Sequence, residues 1–198
     1  MKVVPLVPPY IASLRPYEAG RGIPNGVKLS SNENPLGTSP KAIAAMERSL
    51  RGLNLYPNGG LDLRQVLAEE FDVKLENVIA GSGSEGIMSN IIRAFLCDED
   101  EVLTTEAAFI GFQVLARSRG VNYRTVPYDH WHYDLPALAA AINPHTKIIY
   151  LANPNNPTGT IFTKHEFDRF YQHVPERVLI ILDEAYFEYA KDNPRYPD

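Results

Sequence analysis

Residues 146–160 read TKIIYLANPNNPTGT. An apolar run from Ile148 to Ala152, β-branched at its start, gives way at once to three asparagines and two prolines, closed by Thr158 and Gly159. The run has the length and composition of a buried strand. The segment after it is stiff, because proline fixes its own φ and restricts the residue before it. Pro154 and Pro157 stand on either side of two adjacent amides, so the segment is built to aim Asn155 or Asn156 at something.

Outward from this strand, two periodicities alternate. Asn77–Ala80, Glu101–Thr105 and Val121–Pro127 read as strands, and Ser84–Leu96, Phe109–Arg119 and Leu135–Ile142 read as helices. Downstream, Thr163 and Glu166 form a capping-box pair that opens a helix to about His173, and Val178–Leu182 is a last apolar strand. Two helices precede all of these. One is opened by Ser39-Pro40, with Ile43, Met46 and Leu50 on one face, and the other starts at Asp62, with Leu63, Leu67 and Phe71 at fourfold spacing. The β-α-β-α rhythm predicts an α/β fold, a largely parallel sheet with helices on both faces. Ligands on such sheets sit beyond the carboxyl ends of the strands. Residues 1–30, rich in Pro and Gly and without periodicity, read as an N-terminal arm, and 31–198 as a single domain.

The 198 residues are long enough to bury one proper α/β core. A net charge of −5 offers no basic footprint, so nucleic acid is not an expected partner. A single cysteine, Cys97, excludes an internal disulfide and fits a reducing compartment. Prolines 5, 8 and 9 interrupt any signal-peptide core, and no apolar run approaches membrane-spanning length. The expectation is a cytoplasmic protein without a membrane partner.

Chemistry concentrates at three strand ends. GSGSEG, residues 81–86, follows the predicted strand NVIA and opens a helix, with Glu106 twenty residues beyond Gly86. That pattern fits a dinucleotide fingerprint, a turn with no ligand, or a site for one phosphate on helix amides and the Ser82 and Ser84 hydroxyls. VLIILDE, residues 178–184, resembles the acidic strand of a nucleotide triphosphatase, but Ile87 and Met88 stand where its phosphate loop needs Lys and Ser/Thr. Asp183 therefore needs another explanation, since a carboxylate closing a buried strand is costly without a partner. Tyr186 follows three residues later. A phosphate loop, an aimed amide and a carboxylate–phenol pair together suit pyridoxal phosphate (PLP). A carboxylate keeps its ring nitrogen protonated, amide and phenol donors satisfy its phenolic oxygen, and an aromatic such as Phe109 can cover one face. His130 and His132 flank Trp131 but have no further His or Cys nearby, so they read as a solvated edge with no metal, and Asp98-Glu99-Asp100-Glu101 reads as a solvated turn.

The segments RPYEAG, KLSSNENPLG, LYPNGGLDLR, GSGSEG, AAFIGF, ANPNNPTG and LDEAY make the chain resemble the fold-type I PLP-dependent aminotransferases, and among them the histidinol-phosphate aminotransferases. The pairing of NNPTG with DEAY, 27 residues apart from Asn156 to Asp183, carries most of the likeness. The resemblance implies the aspartate-aminotransferase-like large domain, incomplete at its C-terminal side, in a homodimer. Asn156 and Tyr186 would bond the cofactor's phenolic oxygen, and Asp183 its pyridine nitrogen. Gly83, Ser84 and the Glu85 backbone would hold the phosphate, and Phe109 would stack on the ring. Tyr56 would reach the phosphate in the partner subunit's site, while Tyr17 and Asn32 match positions on the substrate side. Two departures stand out. Ser84-Glu85-Gly86 replaces the usual G-S-D-E run, and Ala107-Ala108-Phe109 replaces P-T-[FY], which leaves Phe112 as an alternative stacking ring.

The implied reaction converts histidinol phosphate and 2-oxoglutarate to imidazole-acetol phosphate and glutamate, in histidine biosynthesis. A decarboxylase of a phosphorylated amino acid or an aromatic aminotransferase would share the cofactor motifs. A nicotinamide-dependent dehydrogenase built on GSGSEG would leave NNPTG and DEAY unexplained, and a non-catalytic fragment that only dimerises or binds ligand is a further reading. The family's Schiff-base lysine lies in a Ser-Lys motif that none of this chain's lysines matches. The resemblance places it, and a carboxylate-binding arginine, beyond Asp198, so residues 1–198 alone are expected to be inactive.

Overall fold

A computed structural model describes residues 6–14 and 24–197. In it the apolar run Ile148–Ala152 belongs to β3 (Thr146–Ala152), which lies inside a four-stranded sheet with β1 (Glu101–Thr105), β2 (Asn122–Val126) and β4 (Leu179–Asp183). The order is β2-β1-β3-β4 and every pairing is parallel. Parallel neighbours require crossovers, which the intervening helices supply. These are α5 (Ile110–Ser118) after β1, α6 (Leu135–Ala141) after β2 and α7 (Lys164–Tyr171) after β3, with α4 (Gly83–Phe95) leading into β1.

Strand alternation sorts the core onto two faces. Ile148, Tyr150 and Ala152 of β3 pack with Val102 against Met88 and Ile92 of α4 and Phe112 and Ala116 of α5. Ile149 and Leu151 pack with Leu103 against Leu135 and Leu138 of α6 and Phe170 of α7. Helices thus cover both faces, as the alternating pattern predicts. The capping box at α7 is formed reciprocally by Thr163 and Glu166. It satisfies two amides that the first helical turn leaves open.

The chain divides into two compact units, Met1–Leu14 with Gly81–Asp198, and Arg15–Ala80. The first holds the sheet, a short α1 (Pro9–Ala12) and a final turn, α8 (Phe187–Ala190). The second holds α2 (Pro40–Ser49) and α3 (Leu61–Glu70). Ser39 occupies the N-cap of α2 without a side-chain bond, so proline at the first turn marks that start. The apolar stripe Ile43, Met46 and Leu50 remains exposed.

Two sequence expectations need correction. Asn77–Ala80 is no strand. Leu75–Asn77 is a 3-10 turn, and the extended residues after it pair with no strand among the described residues. A strand exists only where a neighbour takes up its backbone groups. Here the Arg64 guanidinium takes the Val78 carbonyl at 2.7 Å and the Leu75 carbonyl at 3.0 Å, and Ile79 is left 75% exposed. The acidic run 98–101 is no uniform solvated turn either. Asp98 and Glu99 are exposed, but Glu101 begins β1, is 2% exposed and is clamped by Arg124, Asn122, Asn143 and Thr146.

Candidate functional site

The chain leaves β1 for β2 on one side and returns to β3 on the other, so β1 and β3 are neighbours whose following helices lie on opposite faces. Loops that part in this way leave a crevice beyond the carboxyl ends, the usual ligand position in open α/β sheets. A cavity of ≈ 120 Å³ lies there, lined by Ser84, Phe109, Ala152, Pro154, Asn156, Asp183, Ala185 and Tyr186. Five of these were singled out in the sequence: Ser84 on α4, Phe109 after β1, Asn156 after β3, and Asp183 and Tyr186 at the end of β4.

The three asparagines divide the work. Asn153 is fully buried and exchanges bonds with the Phe162 backbone at 3.1 Å each way, while its amide takes the Asp183 carbonyl. Asn155 is also buried. Its side chain donates to Tyr128 and Thr158 at 2.8 Å and accepts from Tyr133. Tyr128 in turn donates to the Ala107 carbonyl, tying the loop after β1 to the loop after β3. Asn156 alone lines the cavity, and the peptide bonds before Pro154 and Pro157 are both cis. Of the two adjacent amides between the prolines, one thus braces the loop and the other faces the cavity.

Asp183 is half-buried at the tip of β4. Its Oδ2 accepts from the Tyr150 hydroxyl at 2.6 Å and its Oδ1 from the Ala185 amide at 3.1 Å. The register explains the reach: Ala152 pairs with Asp183 and Tyr150 with Ile181, so Tyr150 and Asp183 are diagonal neighbours on one face. Tyr150 is buried and its ring stacks on Phe112 with centroids 4.1 Å apart. Burial, and then the Asp183 charge, push its hydroxyl far above the ordinary phenol range, so it acts as a donor. Sequence reasoning missed Tyr150 and Tyr128; for Tyr150 the usable signal was a phenol inside an apolar strand, since a buried hydroxyl needs a partner, whereas Tyr128, in the loop after β2, gives no such signal.

In GSGSEG the glycines act differently. Gly83 opens α4 at φ +69, which favours glycine, and its amide turns back to the Gly81 carbonyl at 2.9 Å. A Cβ on Gly81 would sit 2.8 Å from the Ile87 side chain. With Gly83 so used, the amides of Ser84 and Glu85 are the open donors of the first turn, where the helix dipole favours an anion. Both side chains are exposed.

Phe109 lines the cavity, whereas the alternative ring, Phe112, is fully buried against Tyr150. Tyr56 and Asn32 belong to the second unit; Tyr56 is 97% exposed and Asn32 closes a 3-10 turn. Tyr17 lies outside the described residues. His130 and His132 belong to a tight turn closed by an Asp129–His132 bridge, with His130 and Trp131 both at positive φ. They line a separate groove of ≈ 840 Å³ over α6 and α7.

The donor set at the cavity fits PLP: first-turn amides for a phosphate, a fixed carboxylate for a ring nitrogen, amide and phenol groups for a phenolic oxygen, and an aromatic wall. Comparisons with known proteins give the family. The family model "Aminotransferase class I and II" matches residues 24–197. A histidinol-phosphate aminotransferase 2 of Pseudomonas fluorescens is 42% identical over 94% of this chain and 54% of its own length. A histidinol-phosphate aminotransferase of Anaeromyxobacter is 41% identical over 98% and 56%. The crystal structure of histidinol-phosphate aminotransferase from Sinorhizobium meliloti in complex with pyridoxal-5'-phosphate superposes with a TM-score of 0.86 at 28% identity, covering 99% of this chain and 55% of that one. The chain spans about half the length of the curated relatives it matches.

Proposed function

Because the chain belongs to the class I and II aminotransferases, we propose that it forms the cofactor-binding part of a PLP-dependent histidinol-phosphate aminotransferase. The carrying observation is the convergence of Ser84, Phe109, Asn156, Asp183 and Tyr186 on one cavity at the switch point of the sheet. When bound, PLP supplies an electron sink for the charge that develops at the substrate carbon. Asp183 would keep a proton on the ring nitrogen by presenting a fixed negative charge beside it. The Asn156 amide and the Tyr186 hydroxyl would donate to the phenolic oxygen, and Phe109 would exclude water from one ring face. Ser84 and Glu85 would hold the phosphate on their first-turn amides, with Gly83 contributing the turn. Tyr17 and Asn32 would face the substrate.

Among the described residues, no lysine lines the cavity. The lysine that anchors the cofactor and moves the proton, and the arginine for the substrate carboxylate, would come from beyond residue 198. Tyr56 would serve the partner subunit's phosphate in a homodimer. Its exposure, beside Leu53 and Leu55 at 75% and 71% exposed, supports an interface there. No helix among the described residues is long and apolar enough to cross a membrane, and a cytoplasmic location suits a biosynthetic enzyme.

The test is to add PLP to the purified chain, follow its absorption, reduce with borohydride and map any labelled lysine, then assay amino transfer from histidinol phosphate to 2-oxoglutarate. Weak reversible binding, without transfer above the free-cofactor background, is the expected result. Stoichiometric labelling of one lysine together with transfer would mean that the active site lies elsewhere in this chain.

A further inference from the structure

Nothing in the family-like motifs accounts for Tyr150, yet it is the buried group in direct contact with the Asp183 carboxylate. We propose that Tyr150 is a positioning residue: its hydroxyl, fixed by the stack on Phe112, sets the orientation in which Asp183 presents its carboxylate to the ring nitrogen of the cofactor. This rests on the assignment of the cavity to PLP.

The geometry favours orientation over mere satisfaction of a hydroxyl. Asp183 sits on the last residue of a strand and on a loop, where a carboxylate can rotate about two side-chain bonds. Two donors, Tyr150 on Oδ2 and the Ala185 amide on Oδ1, define its plane. The Ala185 amide is local and moves with the loop. Tyr150 belongs to the neighbouring strand inside the core, and its ring lies within 9° of the plane of Phe112. The strand backbone, the stacked ring and the short bond to Oδ2 therefore reference the carboxylate to the rigid part of the molecule. A preorganised charge is effective only when it does not have to reorient, so the positioning group matters to the extent that the charge does.

The test compares affinities for PLP and for an analogue with carbon in place of the ring nitrogen, in wild-type chain, Tyr150→Phe, Asp183→Asn and the double variant. Tyr150→Phe keeps the ring and its stack and removes only the hydroxyl. It should reduce the preference for PLP over the analogue by about tenfold, the effect of one hydrogen bond to a charged group. It should leave that preference unchanged in the Asp183→Asn background, because coupled residues are not additive. A purely structural role predicts equal losses for both compounds, or the same loss with and without the Asp183 charge; either result overturns the inference and leaves the PLP assignment standing. Failure of wild-type chain to bind either compound overturns the PLP assignment, and this inference with it.

Discussion

Two carboxylates sit at opposite ends of the same parallel sheet. Glu101, at the amino end of β1, accepts five hydrogen bonds: two from Arg124 at 2.8 and 2.9 Å, and one each from Asn122, Asn143 and Thr146. Asp183, at the carboxyl end of β4, accepts from Tyr150 and from the Ala185 amide and otherwise borders a cavity. Glu101 is removed from bulk water and Asp183 in part, which costs free energy unless partners replace the solvent. At Glu101 the replacement is complete. Burial alone would raise its carboxyl, but the bonds from Arg124 and Thr146 outweigh it and hold the group below the ordinary carboxylate range. At Asp183 the protein supplies orientation and leaves bonding capacity over. A saturated buried charge is a structural part, and one held but not saturated is available for chemistry.

The largest effect that could break this contrast is at Asp183. In the complete enzyme, Asp183→Asn should slow proton transfer at the substrate carbon by about three powers of ten, through loss of a preorganised charge. Thermal unfolding should move little, because the amide oxygen can still accept from the Ala185 amide while its NH2 donates to the Tyr150 oxygen. Single-turnover rates near wild type would show that the unsaturated acid has no chemical role.

How far the sequence revealed this contrast depended on what each carboxylate touches. Asp183 was legible because it ends an unbroken apolar strand and stands close to Tyr186, so its cost was visible locally. Glu101 was not, because it closes an acidic run whose first two members are exposed. Its partners lie 21 to 45 residues away, and only the pairing of β1 with β2 and β3 brings them together. The strands of the sheet and their helices were legible for the same reason as Asp183: their periodicities are local. NVIA failed as a strand because strand formation depends on a neighbour, which periodicity does not report. The choice between Asn155 and Asn156 came from the resemblance alone, since the scaffold bonds of Asn155 to Tyr128 and Tyr133 span 27 and 22 residues.

The second test is at the other end. Glu101→Ala leaves the partly buried Arg124 guanidinium with the Ala141 carbonyl alone and takes the shared acceptor from three polar side chains. Unfolding in urea should show a loss of on the order of 3 kcal/mol. PLP affinity, measured under native conditions, should stay within a factor of about two, because sites without shared partners behave independently. A comparable loss of affinity would mean that the two ends are coupled, and the contrast would need redrawing.

Acid reads the same clamp more gently. A carboxyl whose folded value lies below its unfolded one, near 4.5, contributes its full stability above that pH and loses it as pH falls through the lower folded value. Unfolding free energies of wild type and Glu101→Gln should therefore converge as pH drops from 7 toward 3. Parallel decline of the two would show that other carboxyls carry the acid sensitivity.

The smallest effect comes from Asp98, three residues before Glu101 in the same acidic run. It pairs with Arg119 at 2.9 Å, a distance as short as those in the clamp, but its side chain is 86% exposed and that of Arg119 is 36% exposed. Water replaces most of what such a pair loses, and salt screens the rest. Arg119 also keeps its bond to the Leu96 carbonyl, so removing Asp98 strands no buried group. Asp98→Ala should therefore cost no more than about 0.5 kcal/mol in urea unfolding, and less still at high salt. Distance alone would rank Asp98 with Glu101, whereas burial and the count of donors separate them. A loss at Asp98 that approached the loss at Glu101 would restore distance as the measure and remove the ground for calling the Asp183 carboxylate the exception in this sheet.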